Sequence, residues 1–204
     1  MIIGVDFDNT IVRYDEVFRR LAVEKGLVPA SLSASKKAVR DYLRNQGQED
    51  IWTELQGYAY GPGMQLAQPF PGVLSFFARC RQLGIPVFII SHRTQYPYLG
   101  KQYDLHQAAR DWLAAYGFHD PARIGLPADR VYLELTKLDK LARIAAVGCS
   151  HFIDDLPEFL AEPEFPGCVE KILFDPNALH PSCAAVRRAD SWEAIAMLMF
   201  PEES

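Results

Sequence analysis

Two carboxylates, Asp6 and Asp8, stand one residue apart directly behind the apolar run Ile2, Ile3 and Val5, and Asn9 and Thr10 follow them. A short β-branched run of this kind predicts a buried strand. Alternation along it would put Asp6 and Asp8 on one side, with Phe7 turned away. Two like charges that close repel, and neither is buried without something cationic between them. A divalent metal is the simplest such cation, because open α/β sheets bind their ligands beyond the carboxyl ends of the strands. A solvated acidic turn is the alternative that this stretch alone leaves open.

Three more polar clusters share that placement. Ser91, His92, Arg93 and Thr94 follow the strongest strand signal in the chain, Ile85 to Ile90. Asp154 and Asp155 follow the apolar Phe152 and Ile153, with Pro157 just beyond. Lys137 and Lys140 lie at the start of a helix that Thr136 would cap. Parallel strands deliver their C-terminal ends to one edge, so groups far apart in sequence can converge there. Together they hold acidic oxygens for Mg2+, a nucleophilic carboxylate, a hydroxyl and a lysine charge. That set suits phosphoryl transfer, where positioning and charge neutralisation supply most of the catalysis.

The elements that must position these groups can be read in order. After Thr10, helical segments are predicted over 15–25, from Ser33 or Ser35 to near Gly47, and around Ile51, Trp52 and Leu55, before a loop from Gly57 to Gly63. No strand-like run interrupts them. A helical stretch placed straight after a site-bearing strand reads as a cap inserted at 13–66, with 1–12 and 67–204 as the main domain. Pro69, Pro71 and Gly72 mark the return. Helix 73–83 ends at Gly84, and the unbroken apolar strand behind it belongs at the centre of a parallel sheet covered on both faces. Helix 105–116, a short strand at 131–133, helix 136–147, strands at 151–153 and 171–174, and helix 192–199 behind Ser191 complete the alternation. Strands alternating with helices argue for a doubly wound parallel α/β sheet.

Composition narrows the function. The 204 residues include 49% hydrophobic and 23% charged side chains, enough for a full core. A net charge of -5 gives no electrostatic reason to expect nucleic acid or an anionic membrane as partner. Cys80, Cys149, Cys168 and Cys183 are scattered, without a CxxC pair, and read as reduced thiols rather than a zinc site. No apolar stretch reaches the roughly 18 residues that span a bilayer, so a soluble cytoplasmic protein is expected.

The motifs and their order resemble those of the haloacid dehalogenase-like (HAD) superfamily. Asp6-Phe7-Asp8-Asn9-Thr10 matches its first motif, DxDx[TV]. Ser91 matches the Ser or Thr that ends an apolar strand, and Asp154-Asp155 matches the late acidic pair. The lysine of the third motif could be Lys137 or Lys140. Lys137 is preferred, since it directly follows Thr136 with Leu141 and Ile144 at helical spacing behind it, whereas Lys140 reads as a solvated helix residue. The resemblance implies a Rossmann-like core with a small helical cap after the first strand, and Mg2+-dependent phosphatase chemistry on a small phosphorylated metabolite. Asp6 would be the nucleophile, forming an aspartyl-phosphate. Asp8 would be general acid and base, with its carbonyl on the metal, and Asp154 and Asp155 would complete the Mg2+ site with Asp6. Ser91 would hold the phosphoryl group, with His92, Asn9 and Lys140 as neighbouring candidates. A phosphotransferase or mutase, or a non-catalytic protein of the same fold, are the other readings.

Weaker candidates complete the list. Arg13 and Tyr14 lie where the chain leaves the site and are expected to face a leaving group, and Asp175 reads as a turn residue before Pro176. Trp52, Tyr58 and Tyr60 read as cap core, with stacking on a base or sugar as the alternative.

Overall fold

The N-terminal run folds into the strand its pattern predicts, β1 (Ile3–Val5), buried along its whole length. The computed structural model describes residues 1–181 and 186–200; Cys183 lies outside them. After β1 come β2 (Val12–Arg13), α1 (Asp15–Glu24), α2 (Lys36–Asn45), α3 (Glu49–Tyr60), a 3-10 turn at Pro62–Leu66 and β3 (Gln68–Pro69). Then follow α4 (Val73–Gln82), β4 (Val87–His92), α5 (Leu105–Ala115), a 3-10 turn at Ala128–Arg130 and β5 (Val131–Glu134). The chain ends with α6 (Lys137–Val147), β6 (His151–Asp154), α7 (Pro157–Leu160), β7 (Glu170–Phe174), β8 (Arg187–Ala189) and α8 (Trp192–Met199).

Six strands form one parallel sheet in the order β5-β4-β1-β6-β7-β8. The chain builds outward from β1 through β4 and β5, then returns to the other side of β1 for β6. Strand order reverses between β1 and β6, the place where doubly wound sheets open a crevice. Val5 is level with Ile89 of β4 and Ile153 of β6, so Asp6, Ser91 and Asp154 leave three adjacent strands at one edge. Gly4 permits this packing: a Cβ there would sit 2.5 Å from the Phe152 ring and 2.9 Å from the Cys149 sulfur.

Two compact units make up the chain. The first holds Met1–Ile11, Pro69–His92 and everything from Gly117 onward, and contains the parallel sheet. The second holds Val12–Gln68 together with Arg93–Tyr116. It takes in the 13–66 insertion expected from sequence and adds α5, because Trp112 Nε1 and the Tyr116 hydroxyl both donate to the Ala67 carbonyl, at 3.0 Å each. Its core is aromatic: Phe18 lies 5.2 Å from Trp52 and 5.6 Å from Tyr60.

Two local expectations change. Gly57 does not open a loop, since α3 runs on to Tyr60. Its missing side chain instead admits Pro97, 2.7 Å from where a Cβ would stand. The short edge strand β8 carries Arg187 and Arg188 on an exposed surface, a polar sequence with no periodicity to betray it. Among the described residues, no helix is long and apolar enough to cross a membrane.

Candidate active site

Asp6 is only 5% exposed. Its backbone N–H donates to the Ile153 carbonyl at 2.9 Å, which fixes it against β6. The regular strand stops at Val5, so Asp6 to Asp8 belong to the loop beyond β1 rather than to its alternation. Phe7 is fully buried and Asp8 half-buried. Asn9 then turns the chain at φ +60, a left-handed conformation that Asn adopts more readily than most residues. That backbone demand accounts for the Asn.

Three side chains donate to Asp6. Its Oδ1 accepts from the Ser91 hydroxyl at 2.9 Å and from the Lys140 ammonium at 2.7 Å. The Thr10 hydroxyl lies 3.4 Å from Oδ2 of Asp6 and 3.3 Å from Oδ1 of Asp155, linking the two acidic loops. Lys140 also donates to Oδ2 of Asp154 at 2.6 Å, while Oδ1 of Asp154 accepts from the Leu156 N–H. Asp154 is fully buried and Lys140 nearly so. The Thr10 carbonyl accepts from Nε1 of Trp192 at 3.1 Å, which ties this loop to α8.

The two lysines part company. Thr136 caps α6, accepting from the Asp139 N–H at 3.0 Å. Side chains on a helix lean toward its N-terminus. Lys140, one turn in, therefore leans back onto the strand ends, beside Leu141 and Ile144 on the buried face. Lys137, in the first turn, leans past them, half-exposed with Glu162 at 4.0 Å. It is Lys140 that reaches Asp6 and Asp154.

Electrostatics at the site are dominated by burial. Desolvation pushes the Asp6 carboxyl up to about 7, outweighing the pull of Lys140, and Asp154 and Asp8 push the same way. Burial pulls Lys140 down, but Asp154 and Asp6 together outweigh it and raise the ammonium above its ordinary value, so it stays charged. Asp6, Asp154 and Asp155 each offer an oxygen within 4.8 Å of the others. Three carboxylates against one ammonium leave a surplus of two negative charges (3 - 1 = 2) when all are ionised. An all-oxygen donor set with that surplus fits a hard divalent cation such as Mg2+ and does not suit zinc.

Other sequence candidates fall elsewhere. His92 is exposed at the end of β4, and its imidazole titrates below the ordinary value, chiefly because the ring has lost part of its hydration. Arg93 is buried in the second unit, donating to the carbonyls of Tyr60 and Leu105 at 2.7 and 3.1 Å. Tyr60 packs edge-on against Tyr14 at 5.0 Å and accepts from Lys36 Nζ at 2.6 Å, while Tyr58 lies edge-on to Tyr103. These rings belong to the interior of their own unit. Asp175 is buried and organises its turn, accepting from the N–H groups of Leu179 and His180. Sequence reasoning missed Trp192 and the two rings beside Lys140, Phe152 and Phe159; nothing in their spacing marks them.

No family model matches the sequence, and no curated protein sequence matches it. Solved structures do. One is Protein Tyrosine Kinase A of Mycobacterium tuberculosis, with a TM-score of 0.64 and 14% identity, covering 98% of this chain and 97% of that one. A second is a HAD family hydrolase from Deinococcus radiodurans R1 with bound phosphate and sodium, with a TM-score of 0.58 and 14% identity over 97% of this chain and 94% of that one. A third is a HAD phosphatase from Thermococcus onnurineus, with a TM-score of 0.53 and 13% identity over 100% of this chain and 99% of that one. Such identities speak to fold. The chain has the α/β fold of the haloacid dehalogenase-like hydrolases.

Proposed function

We propose that this protein is a Mg2+-dependent phosphohydrolase acting on a small phosphorylated metabolite through Asp6. The observation that carries the reading is the position of the Lys140 ammonium, shared between Asp6 and Asp154 while the Ser91 hydroxyl meets the same oxygen of Asp6. A carboxylate held this firmly, in a site already carrying a lysine charge, is prepared to meet an anionic phosphoryl group. Dehalogenases share this fold; Asp8 favours phosphate esters, because an ester leaving group needs a proton.

In this reading an oxygen of Asp6 attacks phosphorus and the bond to the leaving oxygen breaks. Asp8 delivers a proton to that oxygen, then takes one from the water that attacks phosphorus and restores Asp6. Lys140 holds its charge beside Asp6 throughout, and Ser91 orients the phosphoryl oxygens with its hydroxyl. Asp6, Asp154, Asp155 and the Asp8 carbonyl would hold Mg2+. The cation supplies positive charge beside the phosphoryl oxygens when bound. The second unit would act as the cap that selects the substrate.

The test is hydrolysis of p-nitrophenyl phosphate with and without Mg2+, for wild type and Asp6→Asn. Wild type is expected to be active only with the cation, and Asp6→Asn inactive. Absence of wild-type activity across a panel of phosphorylated metabolites, or full activity in the variant, rejects the reading. A second reading, transfer of the Asp6-bound phosphoryl group to an acceptor other than water, is favoured by the likeness to a protein named as a kinase. Glycerol or a tyrosine peptide as added acceptor separates the two: transfer yields a phosphorylated acceptor in place of free phosphate.

A further inference from the structure

The Lys140 ammonium is held by more than carboxylates. Its Nζ lies 4.1 Å from the centre of the Phe159 ring and 5.4 Å from that of Phe152. Both rings are almost wholly buried. Phe159 belongs to α7, the single helical turn that follows Asp154 and Asp155 directly, with Pro157 at its start. Phe159 and Phe152 pack on Phe165 at 5.7 and 6.0 Å. An ammonium has three N–H donors and no acceptor. Asp6 and Asp154 take two of them, and a ring face attracts what remains.

We propose that Phe159 is a positioning residue for Lys140: its ring face fixes the ammonium midway between Asp6 and Asp154. The inference rests on the phosphohydrolase reading for its effect on catalysis, though not for the contact itself. Lysine is a flexible point charge on a four-carbon stem. An aliphatic neighbour would keep the stem buried and leave the charge free to settle on one carboxylate. The turn α7 thus links the acidic loop to the lysine, so both arrive at the site as one piece.

Graded fluorination of the Phe159 ring weakens its negative face at almost constant size. Placing mono-, di- and trifluorophenylalanine at position 159 is expected to lower kcat in step with the loss of ring charge, to about a tenth, with KM within about twofold. Phe159→Leu should fall at the bottom of that series. The same series at Phe165, whose ring faces the Lys171 ammonium at 4.5 Å instead, should leave kcat unchanged. A flat response at 159, or equal responses at both rings, overturns the proposal. A readout that needs no activity is the NMR position of the Lys140 ε-methylene protons. They are expected upfield under the ring current in wild type and to return to the ordinary lysine position in Phe159→Leu; an ordinary position in wild type rejects the contact. A wild type with the upfield signal but no phosphatase activity would reject the functional reading while leaving the ring contact standing.

Discussion

The Lys140 ammonium lies 2.7 Å from Oδ1 of Asp6, across 134 positions of sequence, with both side chains withdrawn from solvent. Removing one partner of such a buried pair leaves the other charge uncompensated. Lys140→Met is therefore expected to destabilise the fold by about 3–5 kcal/mol and to lower kcat by about 10²–10³-fold. Lys137→Met, on a half-exposed residue 4.0 Å from Glu162, should stay within about twofold of wild type. Urea melts and phosphatase assays on the two variants check this. Near-equal losses would move the lysine role back toward position 137.

Proton linkage gives a second prediction. Burial lifts Asp6 from 3.8 to about 7, so the folded protein keeps this proton after the unfolded chain has released it. Between those values the folded state binds more protons, and the contribution of Asp6 to stability falls as pH rises. Lys140 is raised above 10.5, so its contribution is complete below that pH and flat across the window. Asp6→Asn should therefore flatten the metal-free stability profile between about pH 4 and 7. Because the cation needs the ionised carboxylate, the rise in Tm on adding Mg2+ should be larger at pH 8 than at pH 5. Equal shifts at the two pH values would contradict the assignment of Asp6 as a ligand.

Gly4 carries the third. A Cβ there would meet the Phe152 ring at 2.5 Å, and that ring stands 5.4 Å from the Lys140 ammonium. Gly4→Ala must push the ring aside, at a cost of about 1–3 kcal/mol. Because the displaced ring borders Lys140, kcat should also fall by more than the small share of protein unfolded explains. Thermal unfolding followed by kinetics at a temperature where the variant is fully folded separates the two effects. An unchanged kcat in the folded variant would confine Gly4 to packing.

Much of the fold was legible because it rests on local patterns. The apolar runs at 85–90 and 151–153 become β4 and β6, and Thr136 and Ser191 cap the helices they precede. The convergence of Asp6, Ser91 and the 154–155 pair followed from parallel strands sharing an edge. The choice between the lysines was not legible from periodicity, since Lys137, Lys140, Leu141 and Ile144 share one helical face. The lean of side chains toward the helix N-terminus decides it, and only against the level of the strand ends. Arg93 misled differently: next to Ser91 in sequence it suggests substrate contact, yet the chain passes into the second unit at that residue. The grouping of α5 with the inserted helices depends on long-range bonds to Ala67 that no local pattern announces.

Arg93 yields the last prediction. Its guanidinium is 5% exposed and donates to the carbonyl of Tyr60, the final residue of α3, at 2.7 Å. Carbonyls at a helix C-terminus have no partner within the helix, and the helix dipole makes a cation welcome there. The same side chain donates to the Leu105 carbonyl at 3.1 Å and stands 5.2 Å from the Tyr60 ring centre. Arg93→Met fills the space but leaves an acceptor buried without its donor, at about 1–3 kcal/mol. Arg93→Lys should recover only part of that loss, because its compact ammonium lacks the separated, fixed donors with which the planar guanidinium meets both carbonyls. An arginine that binds substrate would behave in the opposite way, raising KM with stability intact. Denaturation midpoints and KM values for the two variants therefore discriminate. A loss of stability with KM unchanged in the folded fraction is the expected result, and it would make Arg93 a brace between α3 and α5.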